Sequence, residues 1–216
     1  TTVSSKTLSK TPPPPFTTST LQIDGNRKLG FSAKQTMMLA QQLYEGIALG
    51  DAGETGLITY MRTDSLNLAE EFIASAQSYA EATFGKKYVT GGRRFKSKSK
   101  NAQEAHEAIR PTDITATPDN VKQYLDARQF KLYDLIWNRA LASQLPAAEF
   151  EATMVEFTPK GTTYILKATG SVVTFDGWQK VYNGNDTGES RLPKLAEGDT
   201  ALLKQLGSAQ HYTEPP

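Results

Sequence analysis

The chain predicts an α+β fold, and three features of the sequence predict it. Apolar residues recur at helical spacing in several segments before Pro146, the period shortens to two after Glu149, and glycine or proline marks the joints between segments. The division follows from that change of period. An edge strand or linker covers residues 1–15, a helical domain with helix-turn-helix and winged-helix character covers 16–148, and a strand-rich segment covers 149–216.

Residues 1–10 are rich in Ser, Thr and Lys without apolar periodicity, and the four prolines at 12–15 impose an extended entry. Ser19 and Gln22 have capping-box spacing, which predicts a short helix running through Arg27 and Lys28 to Gly30. Ser32 and Gln35 repeat the signal and open a second helix with Thr36, Leu39, Ala40, Leu43 and Tyr44 on its apolar face. These two helices, joined through 29–31 and followed by a β-branched and aromatic run at 57–61 that reads as a short strand, make the helix-turn-helix with its wing. Asn67 and Glu70 predict the start of a third helix, with Phe72, Ile73, Ala76, Ala80 and Thr83 inward and Gly85 at its end. Residues 103–110 read as a short helix closed by Pro111.

Thr117 followed by Pro118 opens a helical region in which Phe130, Tyr133, Ile136, Trp137, Ala140 and Leu141 pack inward until Pro146. Beyond it Phe150, Ala152 and Met154 alternate with polar neighbours, and a turn falls near 159–161. Residues 164–168, 171–175 and 201–206 read as strands, with a turn at 176–178 and a loop at 183–188.

Chemistry concentrates at 56–65, GLITYMRTDS, which brings together the phenol of Tyr60, the guanidinium of Arg62, the carboxylate of Asp64 and the hydroxyls of Thr63 and Ser65. In a regular strand, residues two apart face the same side, so Tyr60 and Arg62 share a side and Met61 faces away. A packed strand tyrosine with a hydrogen-bonded hydroxyl satisfies this pattern. A phenolic nucleophile attacking phosphorus satisfies it too; such a group, of pKa about 10, loses its proton as it attacks and needs cations where charge accumulates.

A basic stretch follows, comprising Lys86, Lys87, Arg93, Arg94, Lys96, Lys98 and Lys100 with Tyr88 and Phe95 interleaved and no acidic residue. It reads either as a solvated loop or as a phosphate-binding arm with aromatics for base stacking. His106 and Arg110, four apart, share a face of the expected helix and reach one phosphate together, although a structural histidine meets the same pattern.

At 216 residues, 38% hydrophobic and 22% charged, the chain suits one or two globular domains. No run is long enough to cross a bilayer and no leader pattern opens the chain, so a cytoplasmic protein without a membrane partner is expected. The absence of cysteine excludes disulfides and thiolate zinc sites within these residues. The start at Thr1 without Met, and the end in Glu214, Pro215 and Pro216, read as an excised central piece of a longer chain.

Five blocks in fixed order resemble the type IA DNA topoisomerases: PPPPFTTSTLQ at 12–22, RKLGFSAKQTMMLAQQLYE at 27–45, GLITYMRTDS at 56–65, QEAHEAIRPTD at 103–113 and FDGWQKV at 175–181. Residues 47–54 depart from the common bacterial pattern as an insertion, read as a longer loop. The resemblance implies that Tyr60 attacks one DNA strand and becomes joined to the 5′ phosphate, with Arg62 and His106 completing the catalytic set. It implies DNA, single-stranded at the cut, as substrate, and Arg27, Lys28, Arg93, Arg94 and Arg110 are the candidate DNA contacts.

By the same resemblance, Mg2+ is held by an acidic N-terminal domain with no counterpart here, so no metal ligand is assigned. Residues 1–15 and 149–216 belong to a β arch that lets the helical domain swing away, and negative supercoils relax without ATP. The rest of the enzyme is the expected protein partner, the expected state is a monomer near the nucleoid, and the isolated chain is expected to be inactive. The competing reading is a non-catalytic winged-helix DNA-binding module in which Tyr60 is core.

Overall fold

The computed structural model describes residues 1–50, 53–95, 107–182 and 190–212. The chain is α+β, in the order β1 (Thr2–Lys10), α1 (Thr18–Leu29), α2 (Ala33–Glu45), β2 (Ile47–Ala48), β3 (Glu54–Thr55), α3 (Glu70–Phe84), α4 (Pro118–Val121), α5 (Ala127–Gln144), β4 (Ala148–Phe157), β5 (Leu166–Phe175) and α6 (Gln179–Tyr182). It divides into two compact units. One comprises Ser9–Glu149 and Val173–Thr187; the other comprises Thr1–Leu8, Phe150–Val172 and Gly188–Pro216.

The first unit is built around α5, which packs against α1, α2, α3, α4 and α6. Its buried stripe contains Leu132, Tyr133, Leu135, Ile136, Trp137, Ala140, Leu141 and Ala142. The two large aromatics also satisfy their polar ends: Tyr133 donates to the carbonyl of Ala116 at 2.6 Å and Trp137 Nε1 to that of Ile114 at 3.0 Å. α5 therefore holds the backbone of 114–116 as well as the core. Asp126 starts it with a capping box to Gln129. The expected single helical region from Thr117 is instead α4, a short 3-10 turn and α5, because this second cap at Asp126 offers the chain a new start.

α1 is capped two residues before the expected Ser19, by Thr17 in a reciprocal box with Thr20, a threonine returning the bond a glutamate or glutamine usually makes. It closes on Gly30, whose φ of 71° is left-handed. Ser32 caps α2 through the Gln35 amide, as the spacing predicts, and Thr36, Leu39, Ala40 and Leu43 are buried. Tyr44 departs from that face and is 42% exposed. β2 and β3 pair antiparallel, Ile47 opposite Thr55 and Ala48 opposite Glu54, so the insertion expected as a loop is closed by a short hairpin. α3 starts at Glu70 without a side-chain cap, displacing the Asn67 expectation; Phe72, Ile73, Ala76 and Ala80 are buried and Thr83 is exposed.

The strand expected at 57–61 does not form. Leu57 and Ile58 are buried, but Ile58 makes a single bridge to Pro111, and proline has no N–H with which to extend a ladder. The helix expected at 103–110 is also overturned over its described part. Residues 107–110 are non-helical, Ile109 bridging to Phe16, and Arg110 precedes a proline, which disfavours helical backbone. Residues 103–106 and the loop at 183–188 lie outside the described residues.

In the second unit the three-stranded sheet has the order β1-β4-β5. β1 is an exposed edge strand of Ser, Thr and Lys, a composition that discourages further pairing. The two strands expected at 164–168 and 171–175 are one, β5, and Tyr164 and Ile165 precede it exposed. The alternation of β4 shifts along its length: Phe150 is buried, but Met154 is exposed and Val155 buried in its place. The strand expected at 201–206 is not formed, and Leu202, Leu203 and Leu206 are exposed.

Candidate active site

Residues 57–65 run between the start of α1 on one side and the 108–112 segment on the other, bonded to both. Thr59 donates from its N–H to the carbonyl of Arg110 at 2.9 Å and from Oγ1 to that of Ala108 at 2.7 Å, while the Arg110 N–H returns a bond to Thr59 Oγ1 at 3.1 Å. Thr112 donates from its N–H to the Leu57 carbonyl at 3.0 Å. Across the other edge, Thr18 Oγ1 donates to the Met61 carbonyl at 2.7 Å and accepts from the Thr63 N–H at 2.9 Å. The Thr18 N–H, otherwise an unpaired donor in the first turn of α1, bonds to the Thr63 carbonyl at 2.9 Å. Thr63 Oγ1 accepts from Ser65 N–H, and Ser65 Oγ from Asn67 N–H.

Along this backbone exposed and buried side chains alternate. Met61, Thr63 and Ser65 are buried; Tyr60, Arg62 and Asp64 are exposed. Burial and exposure therefore alternate as in a strand although the strand itself is absent and the backbone bends at 59, 61 and 62. Tyr60 is 47% exposed, which removes it from the core. Its ring meets that of Tyr44 edge to face, with centroids 5.3 Å apart and planes at 63°. Gly56 is needed at the entry to the segment: a Cβ there would lie 2.6 Å from the Tyr44 carbonyl oxygen. An open groove of about 440 Å³ beside Arg62 is lined by Thr18, Ser19, Gln22, Thr63 and Asp64.

The predicted site residues fall into three groups. Tyr60 and Arg62 are both exposed, and Arg62 makes no salt bridge among the described residues. His106 lies outside the described residues. The candidate DNA contacts are scattered and mostly engaged within the protein. Arg110 bonds to Glu107 at 2.6 Å, to the Pro111 carbonyl at 2.9 Å, and rests on the Phe72 ring at 4.7 Å. Arg93 Nε donates to the Leu145 carbonyl and Arg94 pairs with Glu70. Lys28 sits 3.7 Å over the Tyr182 ring, and burial lowers its pKa against the opposing pull of Asp24. Arg27 is exposed on the last turn of α1.

Sequence reasoning missed most of the groups that hold this site, the i,i+3 pair of Glu107 and Arg110 excepted. Thr18 carries no local signal, since its partners are 43 and 45 residues away. Glu107 joins Arg110 to the Ala69 N–H, at 3.4 Å, just before α3. The half-buried amide of Gln77 and the buried one of Gln144 fix residues 90–93 within the basic stretch. Gln77 Oε1 accepts from Thr90 and Gly91, while Gln144 accepts from the Arg93 N–H and donates to its carbonyl. Among the described residues no group of three or more His, Asp and Glu side chains is placed to hold a metal ion.

An α+β chain that exposes this tyrosine and arginine on a segment pinned from both sides is matched over residues 1–216 by the model of a DNA topoisomerase family. The chain belongs to that family, in its type IA class. It is 47% identical over 212 residues to DNA topoisomerase 1 of Rickettsia conorii, covering 95% of this chain and 27% of the relative. It is 44% identical over 215 residues to DNA topoisomerase 1 of Campylobacter jejuni, covering 99% and 30%. The solved structure of full-length topoisomerase I from Thermotoga maritima superposes with a TM-score of 0.77 at 38% identity, over 90% of this chain and 31% of that one. The chain thus spans under a third of the length of these relatives. No described helix is long and apolar enough to cross a membrane.

Proposed function

We propose that the chain carries the nucleophile of a type IA DNA topoisomerase that cuts one DNA strand through Tyr60, lets a strand pass and reseals the cut. One observation carries this reading: an exposed phenol and an exposed guanidinium flank the buried Met61 on a backbone bonded to two other parts of the chain. In the cut, the Tyr60 oxygen bonds to the scissile phosphorus and the P–O3′ bond breaks. The phenol loses its proton and the departing 3′ oxygen gains one. The phosphotyrosine conserves the energy of the phosphodiester, so return of the 3′ hydroxyl reseals the strand without ATP. Arg62 offsets charge gathering on the phosphate oxygens, and His106 orients the phosphate or shares the proton.

In this reading the substrate at the cut is single-stranded DNA, relaxation of negative supercoils is the outcome, and the enzyme works as a monomer at the nucleoid in the cytoplasm. Arg27 and Arg62 present charge for the DNA backbone, while Arg93, Arg94 and Arg110 are engaged by the Leu145 carbonyl, Glu70 and Glu107. Magnesium belongs to a part of the enzyme outside these residues. Residues 1–15 and 149–216 act as the arch that lets the tyrosine-bearing domain move.

The test is a pair of substitutions in the whole enzyme. Tyr60→Phe removes a hydroxyl and abolishes cleavage with folding and noncovalent DNA binding retained. Arg62→Ala slows scission more than it weakens binding. Cleavage by the Tyr60→Phe enzyme at the wild-type rate overturns the proposal, and equal loss of scission and binding in Arg62→Ala makes Arg62 a simple anchor.

A further inference from the structure

We infer that Tyr44 is a positioning residue for the nucleophile, setting the direction of the Tyr60 ring through an edge-to-face contact; this rests on the assignment of Tyr60 above. Tyr44 lies in the last turn of α2, displaced around the helix from the buried stripe, and at 42% exposure it does no work in the core. Its ring instead stands 5.3 Å from that of Tyr60 at 63°, an arrangement in which the positive edge of one ring meets the negative face of the other. Among the described residues no hydrogen bond fixes the Tyr60 hydroxyl, and the Tyr44 ring is the aromatic neighbour that limits its swing.

The wall is itself held in place. The Leu43 carbonyl accepts the Leu57 N–H at 2.7 Å, and the Tyr44 carbonyl lies against Gly56, so close that a Cβ at 56 would sit 2.6 Å from its oxygen. The end of α2 and the segment leading to Tyr60 therefore move as one piece, and the two rings keep their spacing. An exposed phenol on two rotatable bonds samples several directions in solvent. A neighbouring ring fixed to the same backbone narrows them toward the one from which the oxygen meets phosphorus.

The test compares Tyr44→Phe with Tyr44→Leu in the whole enzyme. Single-turnover formation of the covalent adduct is measured at saturating single-stranded oligonucleotide, and noncovalent affinity is measured for each variant in a Tyr60→Phe background. Leucine keeps the helix and the apolar character but not the ring, and is expected to slow adduct formation roughly 3- to 10-fold, the range such a ring pair supplies. Its affinity stays within twofold of the Tyr60→Phe reference. Phenylalanine keeps the ring and restores the rate.

A leucine variant as fast as wild type overturns the inference. So does a variant whose affinity falls while its saturated rate holds, which makes Tyr44 a stacking surface for a base. A phenylalanine variant as slow as leucine overturns it as well, because the hydroxyl and not the ring is then what acts. The wild-type control separates the two claims: if the wild type forms no adduct at Tyr60, it is the assignment of the nucleophile that fails.

Discussion

Replacing Thr18 by valine tests whether one hydroxyl near the start of α1 holds the tyrosine segment. Valine preserves shape and β-branching, so the helix start is unchanged and the loss is confined to the bonds of the hydroxyl, which donates to the Met61 carbonyl at 2.7 Å, shared with the Thr63 carbonyl at 3.1 Å, and accepts from the Thr63 N–H at 2.9 Å. Each contributes about 0.5–1.5 kcal/mol net, and because Thr18 is only half-buried, water replaces part of the loss, leaving a cost of about 1–2 kcal/mol. The Thr18 amide is the reporter, because its own bond to the Thr63 carbonyl survives the change. At 1.4 kcal/mol per tenfold, its hydrogen exchange should speed up by about 5- to 30-fold, and the melting temperature of the unit should fall by about 2–8 °C. Thr18→Ser, which keeps the hydroxyl, should restore most of the protection. An exchange rate within twofold of wild type in the valine variant, with an unchanged melting temperature, refutes the claim that this hydroxyl ties the segment to α1.

Gly56→Ala should destabilise the unit by about 1–3 kcal/mol in urea titration, since its Cβ would lie 2.6 Å from a backbone oxygen that cannot swing aside. Gln144→Leu leaves the Arg93 N–H and carbonyl without partners and should cost about 2–3 kcal/mol, with the amides of 90–93 losing exchange protection together. Burial first, and then the bond to Asp176, push the Tyr88 phenol up to about 12. Its folded form holds a proton that the unfolded form, titrating near 10, releases, so its contribution is complete below about pH 10 and is lost as the pH rises toward 12. Tyr88→Phe should flatten that alkaline fall in stability. The purified 216-residue chain should bind single-stranded DNA weakly, with affinity that drops as salt rises, and should not relax plasmid; relaxation by this chain alone contradicts that expectation.

What was legible in the sequence was what local periodicity encodes. The stripes of α2, α3 and α5, the Ser32 and Thr117 caps and the Gly30 stop all follow from neighbours within four residues, and the structure has them. The failures share a cause, which is dependence on a distant partner. Residues 57–61 have strand composition, yet a ladder needs a facing donor, and the facing residue is Pro111. Residues 107–110 have helical spacing but pair through Ile109 with Phe16 across more than 90 residues. The exposure of Tyr60 and Arg62 on either side of a buried Met61 survives the loss of the assumed strand. The braces at Thr18, Gln77 and Gln144, and the exposure of Tyr44 at the end of an apolar stripe, have no signature at short range, whereas the pair of Glu107 and Arg110 spans only three residues.

The central claim is tested most directly by trapping the whole enzyme on single-stranded DNA under conditions where relaxation proceeds, digesting it, and locating the nucleotide on the peptide. The account predicts a 5′ phosphate esterified to the hydroxyl of Tyr60. A covalent adduct on any other side chain, or none while relaxation continues, contradicts it.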